Sequence, residues 1–153
     1  MKEDELQKGV FRFPKEERLH HRSLVEGLFR RGKSFYEFPF RVTWRAMTET
    51  ELQENFRNNI PDGIGRLQML VTVPKKKRKK AVDRVCMRRR IRESYRLNKN
   101  DLKKAFKDNH SIRTLSIALV YIHDKNLPYF TIEEKVKTVI ARIQSKLVQS
   151  EIK

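Results

Sequence analysis

The chain contains little cysteine, little glycine and no long apolar run, and each of these features argues against a class of protein. The single cysteine, Cys86, excludes an internal disulfide and favours a reducing compartment. Only 5 glycines are present, and none belongs to a glycine-rich phosphate loop. Because no run reaches about 20 apolar residues, we expect no membrane span. The polar first ten residues lack the apolar core of a signal peptide, so we expect a soluble, cytoplasmic protein.

Acidic residues are scarce beside basic ones. The chain has 36 Lys and Arg against 19 Asp and Glu, a net charge of +17. Charge of one sign selects partners rather than a fold, and nucleic acid is the most natural partner for this one. A membrane surface is the weaker alternative, because it needs an amphipathic basic helix or a lipid anchor. Residues 75–104 alone hold 15 basic and 3 acidic residues, a net charge of +12, which indicates a localised binding surface.

Hydrophobic spacing predicts an α+β protein in which a flexible tail, 1–12, precedes one domain, 13–150. The predicted elements are a helix within 13–32, strands at 38–45 and 66–73, a helix at 81–97, a strand at 112–122 and a helix from Thr131. We expect a small sheet with helices on one side. The polar residues 47–65 are interpreted as a long hairpin connection between two strands.

Two local patterns refine these elements. The first strand alternates, which predicts an apolar face of Phe38, Phe40, Val42 and Trp44 and a wet face of Arg41, Thr43 and Arg45. Thr131 and Glu134 have the spacing of a capping box at the start of the last helix. The buried stripe of that helix is predicted to be Val136, Val139, Ile140, Ile143 and Leu147.

The helix at 81–97 separates apolar from basic residues. Its inner side is predicted to hold Met87, Ile91, Ser94 and Tyr95. Its outer side repeats arginine every fourth residue, about 6 Å apart, which is comparable to phosphate spacing along a nucleic-acid strand. These residues are Arg84, Arg88, Arg92 and Arg96, with Arg89 beside them. Arginine binds phosphate through two parallel hydrogen bonds, and a polyanion would offset the repulsion between like charges at this spacing. The alternatives are a merely solvated face and, for PKKKRKK at 74–80, a nuclear-import signal.

Three segments in order resemble the protein component of bacterial ribonuclease P. They are FPKEERLHHRSLVEGLFRRGKSF (13–35), KKAVDRVCMRRRIRESYRLNK (79–99), and the apolar strand with the terminal helix, which match in pattern. The second segment departs from the family at Val85, where the family has Asn, and at Cys86, where it has a basic residue. Arg90 stands where the family is usually apolar.

The resemblance implies a small mixed β-sheet packed by helices, a sandwich like domain 2 of ribosomal protein S5 with a left-handed βαβ crossover. It implies a subunit that binds the catalytic RNA and the 5′ leader of precursor tRNA and supports endonucleolytic removal of that leader. The implied RNA-binding residues are Lys79, Lys80, Arg84, Arg88, Arg89 and Arg92, to which the helical arginine row adds Arg96. A leader cleft would include Val25 and Phe29, with Arg41, Thr43 and Arg45 as its floor. The alternative for Phe29 is packing in the core. Mg²⁺ is expected through the RNA, and no obligate protein partner is evident.

The residues themselves suggest no catalytic or metal site. His20, His21, His110 and His123 lack metal-ligand spacing, and Cys86 has no visible base beside it. This agrees with a family in which RNA performs the hydrolysis. The alternatives are a ribosomal or ribosome-assembly RNA-binding protein and a small DNA-binding regulator. The latter needs side chains that read base edges, whereas an arginine face offers phosphate contacts.

Overall fold

The computed structural model describes residues 13–106 and 111–152, so the predicted tail lies outside the described residues. The helices are α1 (Arg22–Arg31), α2 (Glu49–Asn55), α3 (Ala81–Phe106) and α4 (Tyr129–Ile152). The strands are β1 (Lys33–Glu37), β2 (Phe40–Met47), β3 (Leu67–Thr72) and β4 (Thr114–Tyr121). The predicted α+β class is confirmed.

The four strands form one mixed sheet in the order β1-β2-β4-β3. The pairs β1–β2 and β2–β4 are antiparallel, whereas β3 and β4 are parallel and joined through α3. The apolar strand β4 is central, as its two-faced hydrophobic pattern predicted. The hairpin interpretation of 47–65 is wrong, because β4 lies between β2 and β3. That connection instead contains α2, which begins with a capping box between Thr48 and Glu51.

Helices cover both faces of the sheet, so the expectation of helices on one side is wrong. On the first face, α3 and α4 pack on alternate strand residues such as Val42 and Ile117. All five predicted residues of the α4 stripe are buried there. On the second face, Leu24 and Leu28 of α1 join Ala118 of β4 in a smaller cluster. Alternation along β4 therefore divides its residues between two cores.

Several element boundaries differ from the predictions, and α3 extends to Phe106 rather than ending at 97. β1 was not predicted, and Phe38 lies in the turn that joins it to β2, 55% exposed rather than in the core. The terminal helix begins at Tyr129, so Thr131 lies inside its first turn and is not the N-cap. The predicted helix within 13–32 is interrupted, because only Lys15–Glu17 and α1 are helical.

The segment between these two helical pieces runs along the open edge of β3. Arg18 forms a parallel bridge with Met69, and the Leu19 amide donates to the Met69 carbonyl at 3.0 Å. At the opposite edge, Arg142 Nη1 donates to the Tyr36 carbonyl of β1 at 2.8 Å. Both sheet edges therefore carry contacts from elsewhere in the chain.

A buried ion pair fastens the N-terminal segment to α3. Glu17 in the 3₁₀ turn is 6% exposed, and its Oε2 lies 2.5 Å from Lys99 Nζ, whose side chain is 1% exposed. Lys103 contacts the other carboxylate oxygen. Phe13 covers the same region, with its ring centroid 5.5 Å from Lys99 Nζ. The start of the described chain is thus held against the basic helix.

Candidate nucleic-acid interface

The packing of α3 determines which of its residues face outward. Met87, Ile91 and Ser94 are 0% exposed and Tyr95 is 1% exposed, as the helical pattern predicted. Because successive residues are 100° apart, Arg89, Arg92 and Arg96 then lie on the opposite side of the helix. Arg88 lies at the flank, and Arg84 lies nearer the packed side. The buried apolar stripe of α3 therefore also determines which direction its basic residues face.

The basic loop before α3 is folded back against the start of the helix. Arg84 Nη1 donates to the carbonyl oxygens of Arg78, at 3.0 Å, and Lys79, at 2.8 Å. Arg78 in turn forms an ion pair with Asp83 at 3.0 Å. Lys79 and Lys80 keep exposed side chains. Arg84 therefore organises this loop, and the two lysines extend the basic surface.

The middle of the row offers guanidinium groups without carboxylate partners. Arg89 and Arg92 are exposed and Arg88 is partly exposed, and none of the three forms an ion pair with any described residue. Arg96 differs, because Glu93 holds it through contacts of 2.6 and 3.1 Å. Arg90 points elsewhere, with Nη1 donating to the Leu127 carbonyl at 2.5 Å, so it connects α3 to the segment before α4.

A groove of about 640 Å³ lies beside this row. It runs between the N-terminal segment, α3 and the start of α4. Its lining contains two aromatic rings, five arginines and one carboxylate. These residues are Phe13, Arg18, Arg89, Arg90, Arg92, Glu93, Arg96 and Tyr129. Sequence reasoning missed Phe13 and Tyr129, because their proximity depends on the tertiary fold.

On the other side of the sheet, α1 packs on β2 and β4. The segment before α1 lies beside β3, where the Leu19 amide bonds to the Met69 carbonyl. At the C-terminal end of α1, a Cβ on Gly32 would lie 3.0 Å from Thr43 Cγ2 and 3.0 Å from the Trp44 carbonyl oxygen of β2. One flank of α1 faces Arg45 of β2, because a Cβ on Gly27 would lie 2.7 Å from Arg45 Nη1. The opposite flank therefore faces the other end of the strands.

That opposite flank carries Val25 and Phe29, which are four residues apart and share one side of the helix. Val25 is partly buried, whereas Phe29 is 49% exposed and is not a core residue. The sequence could not place this flank, because its direction depends on how α1 crosses the sheet.

Not all predicted residues of the cleft floor are accessible. Thr43 is 2% exposed and bonds to Ser34 at 3.1 Å, so its assignment to a wet floor is wrong. Arg45 lies on the far side of α1, whereas Arg41 is exposed.

The sheet register instead places Tyr36, Arg41, Val120 and Thr72 in one row across all four strands. Tyr36 is 67% exposed, and it was missed because β1 was not predicted. The only sequence signal for it is the short alternation of KSFYE.

These two surfaces define a basic α+β protein with the features of an RNA-binding subunit. Residues 13–144 match the family model described as Ribonuclease P. The ribonuclease P protein components of two Porphyromonas gingivalis strains are each 30% identical to this chain. The first spans 94% of this chain and 95% of its own length, and the second 95% and 96%. The chain therefore belongs to the ribonuclease P protein family.

Solved structures support the same fold. The RNase P protein of Thermotoga maritima superimposes with a TM-score of 0.57 at 21% identity, covering 82% of this chain and 96% of the other. That of Staphylococcus aureus gives 0.56 at 17% identity, covering 83% and 94%.

Family membership identifies a component of an endoribonuclease of tRNA 5′ maturation, which associates with ribonuclease P RNA. The ribosomal alternative is not favoured. No helix in the described residues could cross a membrane.

Proposed function

We propose that the arginine face of α3 binds ribonuclease P RNA while the α1 flank and the exposed sheet row bind the 5′ leader of precursor tRNA. The observation that carries this proposal is the outward row of Arg88, Arg89 and Arg92, which makes no ion pair with described residues and lies in a segment of net charge +12. Guanidinium groups at this spacing match consecutive phosphates.

The protein acts by positioning, and the hydrolysis belongs to the RNA. Cations on α3 reduce the repulsion between phosphate groups and hold the RNA in its active arrangement. The described residues gather no group of three or more His, Cys, Asp or Glu side chains that could hold a metal ion. We also propose that Mg²⁺ is bound through the RNA partner and that the complex works in the cytoplasm.

The leader surface combines the features that single-stranded RNA requires. Such strands need cations for the backbone and flat or apolar groups for the bases. Arg41 supplies a cation, and Tyr36 and Phe29 supply exposed rings. A leader lying across this row would distinguish a precursor from a mature tRNA.

Salt-dependent binding to ribonuclease P RNA tests the first surface. Replacing Arg88 and Arg92 by alanine should weaken binding and reduce the slope of log K against log salt by about one unit per lost contact. The matched control is Arg22→Ala with Lys137→Ala, which removes two charges outside α3. An equal loss of slope in the control would show that general charge, and not this row, drives binding.

Comparison of precursor and mature tRNA tests the second surface. Phe29→Ala should weaken the binding of precursor more than that of mature tRNA. Phe130→Ala is the matched control, because Phe130 is an exposed phenylalanine on the other side of the sheet. Equal losses for both substrates would remove Phe29 from the leader site.

A further inference from the structure

We propose that the groove between Phe13, α3 and the first turn of α4 binds one unstacked nucleobase of an RNA whose phosphates lie on the arginine row. The inference rests on the proposed function and adds a base-binding site to it. The groove adjoins the row directly, because Arg89 and Arg92 line both. A strand that follows the row would therefore pass the mouth of the groove.

The composition of the groove argues for a base rather than for phosphate alone. A carboxylate repels phosphate, so it is not expected on a surface that binds phosphate alone. Glu93 nevertheless lies among the arginines of the groove. The hydrogen bond from Arg96 is the main cause that lowers the pKa of Glu93, so this group is ionised and accepts hydrogen bonds. Amino and imino groups on base edges are suitable donors, whereas phosphates have none.

The aromatic residues supply a surface for the base itself. Unpaired RNA bases commonly stack on aromatic rings and on guanidinium planes. The hydroxyl of Tyr129 donates to Glu133 Oε2 at 3.2 Å, which restrains the ring at the groove. Burial and the hydrogen bond to Glu133 raise the pKa of Tyr129 to about 12, so the hydroxyl stays protonated. Phe13 adds an apolar wall that already packs on Tyr95, with ring centroids 5.7 Å apart.

The neighbouring residue Phe130 provides a matched control for Tyr129. It is 74% exposed and does not line the groove, although it belongs to the same helical turn. Removing either ring truncates an aromatic side chain at the start of α4. Only the loss of Tyr129 should affect a base in the groove.

The test measures binding to ribonuclease P RNA over a range of salt concentrations. Tyr129→Ala should lower the affinity roughly 5- to 100-fold at every salt concentration without changing the slope, because stacking is not electrostatic. Tyr129→Phe should keep most of the affinity, since the ring remains. Phe130→Ala should behave as the wild type, and circular dichroism should confirm that each variant is folded.

Two outcomes would overturn the base site while leaving the proposed function intact. In the first, Tyr129→Ala binds as well as Phe130→Ala. In the second, its loss of affinity comes with a reduced salt slope, which would make the groove a phosphate site only. Failure of the wild type to bind any RNA would overturn both proposals.

A second arm identifies the RNA that supplies the base. The same variants are titrated separately with ribonuclease P RNA and with precursor tRNA. A loss confined to the first assigns the base to the catalytic RNA. A loss confined to the second would overturn the proposal, because the arginine row is proposed to hold ribonuclease P RNA. Unchanged affinity for both would overturn the proposal.

Discussion

Replacing Glu17 by glutamine should destabilise the protein far more than a typical surface substitution. The change keeps the size of the side chain and removes its charge, so the carboxylate next to a buried ammonium is lost. Lys99 Nζ lies 2.5 Å from Glu17 Oε2 and its side chain is 1% exposed. Lys103 also contacts Glu17, but its side chain is 44% exposed, so solvent screens its contribution.

The magnitude follows from the cost of breaking a buried pair. Removing one partner of such a pair costs about 3–5 kcal/mol, because the other charge stays in a poorly solvated site. For a chain of this size, that loss lowers Tm by roughly 6–20 °C. Exchanging both partners, as Glu17→Gln with Lys99→Met, should recover much of the loss, because an apolar side chain needs no counter-charge.

The cost should also depend on pH. Burial lowers the pKa of Lys99, and the hydrogen bond from Lys99 to Glu17 partly opposes this shift. Lys99 therefore binds its ammonium proton more tightly in the unfolded chain than in the folded protein. Between the folded pKa and the ordinary lysine pKa, the free energy of unfolding contributed by Lys99 consequently increases with pH. Without Glu17 the folded pKa falls further. The difference between variant and wild type should thus shrink as the pH rises above the folded pKa of Lys99, because a neutral amine needs no counter-charge.

Urea denaturation at about pH 7 and about pH 10 measures these free energies of unfolding. The matched control is Glu16→Gln, because Glu16 is the neighbouring carboxylate and is exposed. The control should change stability by less than about 0.5 kcal/mol. If Glu17→Gln cost no more than the control at neutral pH, the reasoning about the buried pair would be refuted.

Further predictions concern backbone contacts and a buried hydroxyl, all measurable by urea denaturation. Gly32→Ala should destabilise by about 1–3 kcal/mol, because its Cβ would lie 2.4 Å from the rigid Leu28 carbonyl. Gly27→Ala should cost less than about 1 kcal/mol, because its one tight contact is with the flexible end of Arg45, and alanine has the higher helix propensity. Tyr95→Phe should be neutral or stabilising by up to about 1 kcal/mol, because its buried hydroxyl has no hydrogen-bond partner among the described residues. A clear loss for Tyr95→Phe, or equal effects of the two glycine substitutions, would contradict these contacts.

Sequence reasoning succeeded where hydrophobic periodicity alone decides the structure. The inner stripe of α3 and that of α4 repeat with helical spacing over several turns, so both orientations could be derived. The two-sided hydrophobic run of β4 likewise indicated a central strand. The outward direction of Arg89 and Arg92 followed from the same periodicity, as the burial of Met87 and Ile91 shows.

It failed where distant contacts outweigh local pattern. Residues 18–20 continue a helical pattern, yet they are extended because hydrogen bonds to β3 are available to them. Thr43 has the alternation of a wet strand face, but α1 covers it. Nothing local indicates that Tyr129 and Phe13, more than a hundred residues apart, line one groove. Such features arise from topology, which no short window of sequence contains.

The contacts at the two outer strands also bear on self-association. An open strand presents unpaired amides and carbonyls to which a second chain can add, and this is a common route to aggregation. Here the extended segment at Arg18 and Leu19 covers the edge of β3. The guanidinium of Arg142 donates a hydrogen bond to the Tyr36 carbonyl of β1. The sheet is thereby protected from edge-to-edge pairing with other copies, and the exposed surfaces stay available for nucleic acid.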